Sequence, residues 1–260
     1  MKKSLLTLLA VTAGVLTLPG IARAADEPAS PFSFNVGAVT DYRYRGISQT
    51  RLKPALQGGI DYAHPSGFYL GTWASTIKWV TDAYGDAQVE WDLYGGYKGD
   101  IVKDSVTYDV GLLQYVYPSA STKKWDAAYK NPNTTEIYGA LTFGPVTTKL
   151  SYSLTNLFGN YDFAANSGSK GSLYADVSAS FELGGVTIVP HVGYQKVKDI
   201  TNASYTDYSL TISKDFSGFV PSLAVVGTNA NETFYVPGAS ANSTQFLGKT
   251  ALVLGLKYTF

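Results

Sequence analysis

The chain has 260 residues, with 20 Lys and Arg against 20 Asp and Glu, no cysteine, and as many as 20 tyrosines and 26 glycines. A balanced charge gives no basis for nucleic acid as a partner, and the lack of cysteine excludes a disulfide scaffold and any cysteine-ligated metal. Hydrophobic residues make up 45%, yet no apolar run after Leu18 is long enough for a transmembrane helix, which excludes a helical membrane protein.

The first predicted element is a targeting segment. Met1, Lys2 and Lys3 precede an apolar stretch from Leu5 to Leu18, followed by Ala22-Arg23-Ala24. A basic start, a short apolar middle and small residues at the cut are the layout of a secretory signal peptide, and the middle is too short to be read first as a membrane span. Cleavage is expected after Ala24. Losing Lys2, Lys3 and Arg23 leaves acidic groups in slight excess. Residues 25–260 are read as a single domain, because no linker-like break divides them.

From there the chain alternates with a period of two, the signature of strands that send successive side chains to opposite faces. Strands are predicted at 32–45, 53–64, 67–78, 87–99, 104–116, 134–143, 145–156, 171–183, 186–197, 205–216, 219–229 and 246–260. In the first, Phe32, Phe34, Val36, Ala38, Thr40 and Tyr42 share a face opposite Ser33, Asn35, Gly37, Asp41 and Arg43. In the fourth, Val89, Trp91, Leu93 and Tyr97 oppose Gln88, Glu90, Asp92 and Lys98. The eighth sets Leu173, Ala175, Val177, Ala179, Phe181 and Leu183 against Tyr174, Asp176, Ser178, Ser180 and Glu182. In the last, Leu252, Leu254, Leu256, Tyr258 and Phe260 form one row.

Tight links rich in turn-forming residues fall at 64–67, 99–100, 144–145, 184–185 and 217–218. Longer links at 46–52, 80–86, 117–133, 157–170, 198–204 and 230–245 alternate with them. Long links at one end and short links at the other describe an all-β, up-and-down antiparallel transmembrane barrel of about 12 strands, with short periplasmic turns and longer extracellular loops. In lipid an open strand edge leaves backbone groups without partners, at several kcal/mol each, so the last strand must pair with the first. Tyr258 and Phe260 then belong to an aromatic girdle at the interface.

Alternation does not say which face points inward, and a soluble lipocalin-like barrel would bury the apolar one. Strands of bilayer-crossing length, the sustained asymmetry of the links, and a ring too wide for side chains to fill compactly favour the polar face inside. Outer-membrane lipids are then partners of the apolar face, and the location is the outer membrane of a Gram-negative cell.

The stretches DYRYRGISQT at 41–50, KPALQGGIDYAHPSGFYLGTWAS at 53–75 and WDLYGGYKGD at 91–100 resemble the TorF family of porins. The resemblance covers about the first third of the mature chain and implies a signal peptide, an outer-membrane location and a channel role. A terminal strand closing on Phe260 also resembles the signal by which outer-membrane barrels meet their assembly machinery.

With the apolar face toward lipid, Asp41, Arg43, Arg45, Asp61, Glu90, Asp92, Asp109, Lys149, Asp176 and Glu182 project into the lumen or its mouth. They are the candidate pore-lining residues of a passive channel for small hydrophilic solutes or ions. The alternative for these charges is mutual pairing that plugs the barrel, and the loop at 117–133 is the candidate for folding inward. Two other functions fit a barrel of this size. One is a lipid hydrolase, for which His191 on the polar face of the ninth strand would be the base, although no GxSxG elbow accompanies it. The other is a closed structural or adhesive barrel acting through its loops at 117–133 and 230–245. No catalytic residue, metal site or cofactor is assigned, because His64 and His191 lie far apart in sequence and LYGGY at 93–97 lacks the helix of a dinucleotide fingerprint. Its glycines are read as room beside bulky neighbours.

Overall fold

The computed structural model describes residues 30–118 and 129–260. The expected signal peptide at 1–24 and most of the loop at 117–133 lie outside the described residues. In chain order the spanning strands are β1 (Phe32–Val39), β2 (Ala55–Ala63), β3 (Phe68–Thr76), β4 (Val89–Val102), β5 (Val106–Val116) and β6 (Thr134–Phe143). They continue as β7 (Val146–Ser153), β8 (Leu173–Ala179, resumed as Phe181–Leu183), β9 (Val186–Lys196), β10 (Tyr205–Ser213), β11 (Phe219–Thr228) and β12 (Ala251–Thr259).

Each strand pairs antiparallel with its neighbours in sequence, and β12 returns to β1 with Val36 opposite Tyr258, which closes the sheet. Reciprocal bonds between Phe34 and Phe260, at 2.9 and 3.0 Å, extend that seam to the last residue. Closure removes the open edge that lipid would penalise. The break within β8 has a chemical cause. Pairing of β8 with β9 jumps from Ser178↔His191 to Phe181↔Ile188, across Pro190, which has no N–H to give. Ser180 instead donates to the Pro145 carbonyl on the other side, at 2.9 Å.

The short links match the expected turns. Gly184 and Gly185 both have positive φ (60° and 75°), the two-residue geometry that suits the twist of the flanking strands.

The direction of the faces is settled by exposure. Leu56, Leu70, Leu252 and Leu254 are exposed, while Glu90 and Asp92 on the opposite face are 2% and 0% exposed. In water each exposed leucine would forgo roughly 1.5–3 kcal/mol of burial, so an apolar exterior of this extent calls for a hydrocarbon solvent. At the short-turn end the outer face carries aromatic contacts, among them Phe34 with Phe260 (5.7 Å), Tyr258 with Phe219 (4.4 Å) and Phe68 with Tyr97 (4.9 Å). This is the girdle expected where strands leave the apolar band.

Inside, tyrosine and glycine are used together. Tyr94 lies across Gly71, its register partner, and Tyr69 lies across Gly96, so that a Cβ at either glycine would strike the ring. The glycines of LYGGY thus leave room for large neighbours, as expected.

Two boundaries differ from the expected ones by five residues or more. The last strand begins at Ala251 rather than 246, and β1 ends at Val39 rather than 45. Beyond Val39 the chain turns into the barrel.

Candidate functional site

The inward segment runs through residues 40–54, and its centre is a two-rung antiparallel ribbon, Arg43 opposite Ser48 and Tyr44 opposite Ile47. The residues at its tip, Arg45 and Gly46, both have positive φ (46° and 78°). A side chain in the left-handed region costs on the order of 1–2 kcal/mol, so contacts elsewhere must offset Arg45. At the base of the ribbon, Asp41 accepts from Arg43 Nε and from Ser48 Oγ, each at 2.5 Å. Arg43 Nη1 also donates to the carbonyls of Gly46, Leu247 and Lys249 at 2.9–3.1 Å, which ties the segment to the last loop.

The Arg45 guanidinium reaches the far wall. Nη2 donates to Glu136 of β6 at 2.7 Å and Nη1 to Gln195 of β9 at 2.5 Å. The guanidinium carbon lies 4.8 Å from the ring centre of Tyr44 and 4.1 Å from that of Tyr174 on β8. A carboxylate, an amide oxygen and two aromatic faces make a complete cage for a planar cation. Tyr44 shares a hydroxyl bond of 2.7 Å with Tyr115 on β5, the strand next to β6, so the ribbon has a second anchor beside Glu136.

Around this tip the enclosed carboxylates are met mainly by tyrosine. Tyr42 and Tyr117 donate to the two oxygens of Glu90 at 2.5 and 2.6 Å. Burial first, and then the adjacent Glu90 charge, hold the Tyr42 hydroxyl protonated, well above its usual range. Tyr94 donates to Asp61 and Tyr69 to Asp109, each at 2.5 Å, and Tyr174 donates to Asp207 at 3.1 Å. Asp92 is different: it is fully buried, and neither of its carboxylate oxygens has a hydrogen-bond partner among the described residues.

The sequence-predicted residues fall into three groups. Asp41, Arg43 and Arg45 are enclosed, but on the inward ribbon and not on the first strand, a correction that follows from the early end of β1. Asp61, Glu90, Asp92, Asp109, Lys149 and Asp176 project from strands to the inner face. Lys149 lies over the Tyr138 ring at 4.2 Å, and Asp176 lies 3.9 Å from His191. Glu182 is exposed at the short-turn rim, where it accepts from Thr187 at 2.5 Å. The cage also needs Glu136, Gln195 and Tyr174, with Asp207 beside it, which the sequence reading did not single out. Alternation on β6 and β10 carried the signal for Glu136 and Asp207, since each lies on the same face as a buried tyrosine, Tyr138 and Tyr205.

His191 has Nδ1 3.6 Å from Asp207, and its Nε2 is 3.2 Å from the Tyr174 hydroxyl. Among the described residues no serine hydroxyl is bonded to it. The long-link end is braced by Arg51, whose Nε donates to Asp82 at 2.8 Å, and by Ser240, which donates to the Asp82 carbonyl at 2.5 Å.

An uncompensated buried carboxylate costs stability. Asp92→Asn, which keeps the shape and removes the charge, is therefore expected to raise unfolding stability in detergent by about 1–3 kcal/mol. Urea titrations followed by tryptophan fluorescence check this, and an unchanged or lowered midpoint would contradict the reading of Asp92.

Solved structures share this architecture at low sequence identity. The KdgM porin aligns at 12% identity with a TM-score of 0.50, over 88% of this chain and 99% of its own. The NanC porin aligns at 11% identity with a TM-score of 0.54, over 87% of this chain and 98% of its own. Likeness at this level concerns the fold. No curated protein matches the sequence. The family model for a bacterial protein of unknown function, Gcw_chp, does match it, over residues 24–260, and the chain belongs to that family.

Proposed function

We propose that the protein is an outer-membrane channel through which small hydrophilic solutes or ions diffuse passively, with the ribbon at 43–48 forming its constriction. The observation that carries this reading is the closed barrel with leucines outside and hydrogen-bonded charges inside. A water path requires polar groups of this kind along its wall. In this reading Asp61, Glu90, Asp92, Asp109, Lys149 and Asp176 line the path, together with Asp41, Arg43 and Arg45 on the ribbon, and Glu182 lies at its mouth. The stretch at 41–50, the first of the three on which the resemblance to the TorF porins rests, is the one that forms the constriction. Residues 1–24 act as a cleaved signal peptide, and the strand ending at Phe260 is the segment presented to the assembly machinery.

Reconstitution in a planar bilayer tests the proposal. Discrete conductance steps are expected from the purified mature chain, and a folded sample that never conducts would refute the channel.

A further inference from the structure

The contacts around Arg45 describe a receptor for a cation as fully as they describe a clasp. Glu136 supplies charge, Gln195 Oε1 a second acceptor, and Tyr44 and Tyr174 two aromatic faces. The group inside is held at the tip of a turn, in a backbone conformation that disfavours any side chain. Three of the four cage members stand on the barrel wall, so they persist wherever the tip is.

The surrounding carboxylates are held mainly by neutral donors. Glu90, Asp61, Asp109 and Asp207 accept from tyrosine hydroxyls, and Asp207 also lies 3.6 Å from His191 Nδ1. The Asp92 carboxylate is buried, has no hydrogen-bond partner among the described residues, and shares the inner face of β4 with Glu90. Lys149 stands opposite Asp176 on the neighbouring strand and lies over the Tyr138 ring. A lumen built this way lowers the energy of a positive solute and raises that of a negative one.

We propose that this cage is a binding site for organic cations bearing a guanidinium or ammonium group, and that Arg45 occupies it as a tethered surrogate which such a solute displaces. The proposal rests on the channel reading for its route of access. Displacement costs the solute little, because leaving the cage lets the tip relax from its disfavoured φ.

The test is chemical rescue. Arg45→Gly removes the guanidinium and suits the positive φ, so the barrel is expected to fold, which retention of the compact heat-modifiable form on gels verifies. In planar bilayers under a KCl gradient, the reversal potential should have the sign of potassium preference. Guanidinium chloride should block the Arg45→Gly channel at a concentration about tenfold lower than it blocks Arg45→Gly/Glu136→Gln, the loss expected for one charge-assisted hydrogen bond. Sodium at equal strength should not block. Equal block in the two variants, or a reversal potential favouring chloride, overturns the cation site and leaves the channel standing. Folded protein that never conducts overturns the channel, and titration of guanidinium into the two variants by calorimetry then decides the site alone, with equal heats counting against it.

Discussion

Arginine in place of Leu254 is expected to destabilise the barrel by about 2–4 kcal/mol, the cost of a cation on the lipid face near the bilayer middle. Leu254 is 56% exposed and stands opposite Leu223 on β11, four residues from the aromatic rim at Tyr258. Its neighbour Val253 points the other way and is half-buried. Val253→Thr should therefore change stability by less than about 1 kcal/mol, because a lumen position already meets polar groups. Unfolding in phospholipid vesicles measures both. If the two variants cost the same, the outer surface is not in contact with hydrocarbon, and the membrane reading loses its basis.

The second large effect concerns current. Arg45→Gly should raise single-channel conductance by at least about twofold, since the guanidinium that bridges the lumen to Glu136 and Gln195 is the contact that anchors the tip on the far wall. The base of the ribbon remains tied through Asp41 and through Arg43 to the last loop, so the segment is expected to loosen at its tip and not to leave. Unchanged conductance would mean that solutes pass elsewhere or that the ribbon is held by the Tyr44–Tyr115 contact alone.

The two experiments probe opposite faces of one sheet, and those faces were unequally legible. On β4 the row Val89, Trp91, Leu93 against Glu90 and Asp92 could be read directly, because a strand with lipid on one side and a polar lumen on the other must alternate. The pairing of the last strand with the first followed from the need to satisfy backbone groups in hydrocarbon. The same rule misled at the end of β1. Alternation continues past Val39 through Tyr42 and Tyr44 because the inward ribbon is itself a pair of strands, and period two does not distinguish a barrel wall from a ribbon inside it. The Arg45-Gly46 turn was the local mark of the change, with its paired positive φ.

Residues that act across the lumen were beyond sequence for a different reason. Arg45 meets Glu136 and Gln195 from 91 and 150 positions away, and Tyr42 meets Glu90 across 48. Local pattern fixes which face a side chain takes, since that depends on a strand's own dihedral period. Closure of the ring alone decides which side chains meet across its width, and this protein's enclosed acids came to be matched mostly with tyrosines and its strained arginine with a cage. The sequence by itself determined a closed barrel with one apolar and one polar face; only the tertiary structure decided what occupies its centre.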